Sequence, residues 1–226
     1  MTGQAPRSAR GRQAEARRND ERVLVAAREV VAVHGADASV AAIAARAGVG
    51  MGSLYRRYGS KADLLRRLCL LAMDHAIEAA ETALREPDPW AGLVGYIHEC
   101  VARRTGALTP LAGGLCTTPQ MRRSAARAHL LLERLVADAR RDGRLRPDAT
   151  APDIVSLLEL FARHGPTGAD MAARDRLLAV TLDGLRAPGA VPLPGPPPDL
   201  ERYRQRWDGA CQEPPFGPES GLDPGH

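Results

Sequence analysis

Lysine is nearly absent from these 226 residues: Lys61 stands alone among 31 basic side chains. The others are all arginine, and beside so much alanine, glycine and proline this is the composition of a GC-rich genome rather than a functional signal. Aromatic residues are also few, at 4%, so the apolar stripes are mostly aliphatic. The four cysteines, Cys69, Cys100, Cys116 and Cys211, make no CxxC pair and no zinc-like spacing. Free thiols in a reducing compartment are expected of them. No apolar run approaches the ~20 residues that a membrane span requires. The N-terminus is polar and arginine-rich, unlike a signal peptide, so the expected location is cytoplasmic.

Catalytic signatures are missing as well. No GxSxG elbow, HExxH pair or Walker motif occurs. Gly48, Gly50 and Gly52 alternate ahead of a helix, but no strand pattern precedes them and GxGxxG is incomplete. His75 and Glu78 stand in the reverse order of the Glu-x-x-His pairs of di-metal bundles, and only once. His98 and Cys100 fall on different helical faces, and His34, His129 and His164 read as surface, cap or pocket residues. We therefore expect no enzyme, no metal site and no cofactor.

What is present centres on Ser39 to Lys61, SVAAIAARAGVGMGSLYRRYGSK. Ser39 is a helix N-cap. Val40, Ile43, Ala44 and Ala47 share one face at helical spacing, and Gly48 suits a left-handed C-terminal residue. A second short helix begins near Gly50 or Met51 and turns Leu54 and Tyr58 inward. Two short helices about a glycine corner are a helix-turn-helix, whose second helix enters the major groove. Ahead of them, Asn19 or Asp20 caps a supporting helix with Val23, Leu24, Ala27, Val30 and Val31 inward, closed by Gly35. Residues 1–18 read as a disordered basic arm, because they lack an apolar period. Charge follows the same division. Residues 1–68 hold 13 Arg and Lys against 6 Asp and Glu, and the remainder 18 against 21. A basic head on a mildly acidic body suits DNA binding.

The run IAARAGVGMGSLYRRYGSKADLL resembles the TetR family of bacterial transcriptional regulators, with the likeness covering roughly Asn19 to Leu68. The resemblance implies a DNA-facing hydroxyl at Ser53, a phosphate-binding phenol at Tyr55 and a phosphate-binding amine at Lys61. Gly50 stands where the family has a Ser or Thr cap, and Met51 where polar or basic residues are common. Helix N-termini and serine hydroxyls suit phosphate on physical grounds. The candidate DNA-binding set is Ser39, Val40, Gly50, Met51, Gly52, Ser53, Tyr55, Arg56 and Lys61, with Arg57 divided between DNA and surface.

Behind the head, spacing predicts a Ser60-capped helix to about Leu84, others near Trp90–Thr105, Thr118–Arg141 and Thr150–Phe161, and a last one over Asp170–Leu185. The fold class is all-α: a three-helix helix-turn-helix head over 19–67 and a helical effector and dimerisation domain over 68–187, about nine helices in all. A Pro- and Gly-rich tail fills 188–226. The last two helices carry more apolar surface than a small body covers. A four-helix bundle with a second copy follows, through Ile154, Leu157, Leu158, Phe161, Leu177, Val180 and Leu185; the resemblance implies the same. Similar regulators enclose a small-molecule pocket, for which Met73, Trp90, Tyr96, Cys116, Met121 and His129 are the candidates here. The expected function is a homodimeric repressor released from a pseudo-palindromic DNA operator by a small-molecule effector. The alternative is an all-α binding protein or enzyme whose head no longer binds DNA.

Overall fold

Eight α-helices and one 3-10 stretch follow one another in the computed structural model, which describes residues 9–34, 38–162, 168–187, 189, 191–199 and 205. They are α1 (Ala9–His34), α2 (Val40–Ala47), α3 (Met51–Tyr58), α4 (Lys61–Ala83), α5 (Pro89–Ala102), a 3-10 helix (Thr105–Gly114), α6 (Pro119–Arg141), α7 (Ala151–Phe161) and α8 (Gly168–Gly184). The all-α class expected from spacing is the class observed. Among the described residues the only pairing of β type is an isolated bridge between Leu145 and Arg186.

Helix starts follow the chemistry of their caps. Ser39, Ser60, Asp88 and Thr118 each accept the backbone N–H three residues on, satisfying a donor that the first turn leaves open. Thr150 and Asp153 form a reciprocal capping box at α7. One start differs from expectation. The first helix begins at Ala9, ten residues ahead of Asn19, so part of the expected disordered arm is helical. Alanine, arginine, glutamine and glutamate are strong helix formers. Once the apolar stripe further on has nucleated the helix, they extend it without an apolar period of their own. Residues 1–8, Gly35, His164 and Cys211 lie outside the described residues.

Two hydrophobic clusters form the core. The first joins α1, α2 and Leu54 of α3 to the leading half of α4, from Leu64 to Met73, with Leu108 and Met121 added from the body. The second gathers Ala80 and Ala83 of α4 with residues such as Leu93, Ile97, Leu135, Ile154 and Phe161. Helix α4 therefore belongs to both and links the head to the body. At the α4–α5 crossing a Cβ on Gly92 would lie 2.5 Å from the Ala83 carbonyl oxygen, so only glycine permits that approach.

The tail is pinned at Val191 and Leu193. Arg146, 7% exposed, donates to Asp148 Oδ1 at 2.6 Å and to the Val191 carbonyl, and Asp148 Oδ2 accepts from the Leu193 N–H at 2.8 Å. The Arg146 hydrogen bond holds the Asp148 carboxyl down at about 2.

Candidate nucleic-acid interface and interior cavity

The turn between α2 and α3 is built on Gly48, which is left-handed at φ 65°. Its N–H donates to Ala45 O at 3.2 Å, and the Val49 N–H donates to Ala44 O at 3.1 Å. A third donor comes from outside: Arg22 of α1 gives Nη2 to the Ala47 carbonyl at 2.8 Å. Arg22 is thus a tertiary C-cap of α2. Its cation suits the negative end of that helix.

Helix α3 starts differently. Gly50 offers no side-chain cap; its carbonyl accepts the Ser53 N–H at 2.9 Å and the Leu54 N–H at 3.2 Å, and the Met51 and Gly52 amides gain no side-chain acceptor from it. Only Leu54 of α3 is buried. Gly50, Met51, Gly52, Ser53, Tyr55 and Arg56 are all exposed, with Met51 42% and Tyr55 43% open. Large side chains left in the open on one short helix mark a surface meant to be covered. Ser39 at the start of α2 and Lys61 at the start of α4 are exposed too. Among the described residues no carboxylate pairs with Lys61. The Arg56 guanidinium lies back over Gly52, where an added Cβ would sit 3.6 Å from Nη1.

One member of the candidate set faces elsewhere. Val40 is 5% exposed and packs in the head core. Its apolar position at the first turn of α2 serves packing, and a DNA role for its side chain is corrected by that burial. Arg57 is also accounted for: its Nη2 donates to Asp20 Oδ2 of α1 at 2.8 Å. Arg56 is the cation that α3 leaves available.

The Ser60 cap fixes the other edge of this face. Ser60 Oγ accepts the Asp63 N–H at 3.1 Å and donates to Asp63 Oδ2 at 2.7 Å. Asp63 is in turn paired with Arg66 at 2.7 Å. The Ser60 hydroxyl, then Arg66, hold the Asp63 carboxyl below its usual range. The start of α4, and with it Lys61, is held in place by this small network.

Between the two hydrophobic clusters lies a cavity of about 80 Å³, walled by α4, α5, the 3-10 helix, α6 and α7. Of the pocket candidates, Met73, Tyr96 and His129 line it. The other three candidates do not. Trp90 is buried under Arg186, whose guanidinium stands 5.3 Å from the ring centre. Met121 is fully buried in the first cluster, and the Cys116 carbonyl accepts from Arg66 at 2.9 Å. The lining that spacing missed consists largely of small residues, among them Cys69, Ala72, Ala76, Ala125 and Ala128. The readable signal was a run of alanines on the facing sides of α4 and α6, which leave room between helices that larger side chains hold apart.

The lining contains no Asp, Glu, Lys or Arg. His129, 6% exposed, has Nε2 at 3.1 Å from Glu133 Oε1. Burial pushes the Cys69 thiol up to about 12, so it stays protonated at neutral pH. Among the described residues no three His, Cys, Asp or Glu stand close enough to hold a metal ion, and no helix is long and apolar enough to cross a membrane.

For the expected dimer surface, the chain divides the candidates. Ile154, Leu158 and Phe161 are 0%, 6% and 1% exposed within a single copy. They belong to the chain's own second cluster, which corrects their assignment to an interface. Leu157 and Leu185 are half-buried, while Leu177 and Val180 stand 43% and 63% open on α8.

A short exposed helix, seated by a glycine turn against α1 and α2 and joined through α4 to further helices, defines a helix-turn-helix DNA-binding regulator. The chain belongs to the TetR family. The profile of "Bacterial regulatory proteins, tetR family" matches residues 23–68, and that of "Transcriptional regulator SbtR-like, C-terminal domain" matches residues 88–187. The HTH-type transcriptional regulator UidR of Escherichia coli K12 is 29% identical over 189 residues, covering 77% of this chain and 93% of UidR. A TetR transcription regulatory protein of Mycobacterium vanbaalenii is 28% identical with a TM-score of 0.51, over 77% of this chain and 99% of its own. The ketosteroid transcriptional regulator KstR2 of Mycobacterium tuberculosis shares the fold, at 21% identity and a TM-score of 0.52 over 75% of this chain and 95% of that one. These are transcriptional regulators rather than enzymes, and the present chain is a DNA-binding transcriptional regulator.

Proposed function

We propose that this regulator is a cytoplasmic homodimeric repressor, released from a pseudo-palindromic operator by a small, neutral, largely apolar effector in the cavity between the two clusters. The observation that carries the reading is the position of that cavity. Cys69, Ala72 and Met73 on its wall belong to α4, the helix that follows α3 directly and packs against it.

Size and polarity narrow the effector. An apolar cavity of about 150 Å³ holds benzene, and this one has about 80 Å³. A ligand therefore has to widen it, moving α4 relative to α6. A molecule that fits only the widened form binds that form better, and this difference in affinity is what shifts the population. With no charged side chain to meet it, a carboxylate or ammonium inside would lose hydration without compensation. Tyr96, Thr105 and His129 supply hydrogen-bonding groups for one polar end.

In the operator-bound form the two α3 helices enter successive major grooves, about 34 Å apart. Widening at α4 changes that spacing. The test is operator release, followed by fluorescence anisotropy, with phenol and indole against benzoate and tryptamine. Release by the neutral pair alone is expected. Release by the charged pair alone, or by none even in a variant with Leu132 cut to Ala to enlarge the cavity, would sink this reading.

A further inference from the structure

Helix α3 has eight residues and buries one side chain, Leu54. A single apolar contact seats a helix but does not stop it rolling about its own axis. The second hold comes from α1. Tyr58, four residues beyond Leu54 and so on the same side, donates its hydroxyl to Asp20 Oδ1. Arg57 donates Nη2 to Asp20 Oδ2 at 2.8 Å. One carboxylate, whose side chain is 13% exposed, thus receives two neighbouring side chains of the recognition helix. The Arg57 guanidinium also lies 5.8 Å from the centre of the Tyr58 ring, which completes a closed triangle.

We propose that Asp20 is a specificity-setting residue for DNA: it fixes the roll of α3 through Tyr58 and withholds Arg57 from the phosphate backbone. Each cation that reaches phosphate adds affinity for any duplex, without regard to sequence. An arginine at the last turn of α3, two residues from Tyr55, would do this if it were free. Tied to Asp20, it contributes geometry instead of charge. The sequence-independent part of binding then rests on Tyr55, Arg56, Lys61 and the helix amides, and discrimination between operator and other DNA rises accordingly.

The test measures affinity against salt for the full-length protein on two duplexes, one of random sequence and one selected by the wild type from a randomised pool. Asp20→Asn keeps an acceptor for Tyr58 and removes the charge that holds Arg57. It should bind the random duplex several-fold more tightly, with the log–log salt slope steeper by about 0.9, the change for one added phosphate contact. Adding Arg57→Gln should restore the wild-type slope. Tyr58→Phe should weaken binding to the selected duplex at an unchanged slope. Arg57→Gln alone alters an exposed residue that does not shape the core, and it should leave the slope as it was. A slope that falls by about 0.9 in Arg57→Gln alone would show Arg57 already on phosphate, and the proposal would be wrong. So would an Asp20→Asn protein with wild-type melting temperature and wild-type slope. If Asp20→Asn does not fold, the Arg57→Gln and Tyr58→Phe measurements decide.

Discussion

Arg28 of α1 and His75 of α4 meet inside the joint between head and body, with Nη2 3.2 Å from Nδ1. Arg28 is 4% exposed, and among the described residues its Nε has no hydrogen-bond partner. Burial, then the nearby Arg103 charge, brings its guanidinium down to about 10, so it remains a cation at neutral pH. A donor cation on Nδ1 requires that nitrogen to be unprotonated. His75 is accordingly held below its ordinary value, first by burial, then by Arg28 and Arg103, with Glu78 and Glu21 pulling the other way.

That contact predicts a pH dependence with a defined sign. Because the folded value is lowered, the unfolded chain binds the proton more readily between the folded value and about 6.5. Stability from this group is therefore complete above about pH 6.5 and is lost as pH falls through the lowered folded value. Thermal melts from pH 7.5 to 5 should show a fall that His75→Gln flattens. An equally steep fall in His75→Gln would place the titrating group elsewhere.

Little of this joint was legible from the sequence. Arg22 and Arg28 lie six apart on a helix and look alike as letters, yet one caps α2 and the other is buried against α4. Asp20 read as a helix cap because a polar residue ahead of an apolar stripe usually is one; α1 runs through it, and its carboxylate serves α3 instead. The helices, their caps and the glycine turn were readable because each depends on residues within one or two turns. The head's exposed face was readable for the same reason, apart from Val40. The cavity was readable only in part, since three of its six candidates line it and the rest of its wall includes alanines on separate helices, whose pairing a sequence does not state. Ile154, Leu158 and Phe161 were placed at an interface because apolar spacing tells that a face is covered, not by which chain.

Lys61 is exposed, without a carboxylate partner among the described residues, and set by the Ser60 cap. Lys61→Ala should weaken binding to every duplex and reduce the salt slope by about 0.9. Tyr55→Phe should weaken it too, with a smaller change in slope because no charge is removed. Anisotropy titrations at several salt concentrations read both. A Lys61→Ala slope equal to wild type would remove this amine from the interface.

Gly106 sits where the 3-10 helix crosses α7. A Cβ there would lie 2.5 Å from the Leu158 carbonyl oxygen and 2.8 Å from the Glu159 nitrogen. Backbone cannot swing aside as a side chain does, so Gly106→Ala should force the two segments apart. The expected cost is about 1–3 kcal/mol, as for other overpacked sites. Gly106 also lines the cavity, so the variant should show an altered effector response when its remaining stability allows DNA binding. Denaturant unfolding measures the first effect; an unchanged midpoint would mean that the crossing accommodates a methyl group.

The divided apolar residues of α7 and α8 make the last prediction. Leu177 and Val180 are open in one copy, three residues apart and therefore on one face of α8. Ile154 and Phe161 are enclosed by their own chain. If the second copy docks on α8, Val180→Glu buries a charge in that interface while leaving the monomer's core untouched. It should shift the protein from dimer to monomer in sedimentation at a nearly unchanged helical content, and operator affinity should collapse because half-sites are then bound one at a time. Ile154→Glu puts the same charge inside the monomer and should unfold it instead. A dimer that persists in Val180→Glu and Leu177→Glu alike would move the interface off this face of α8.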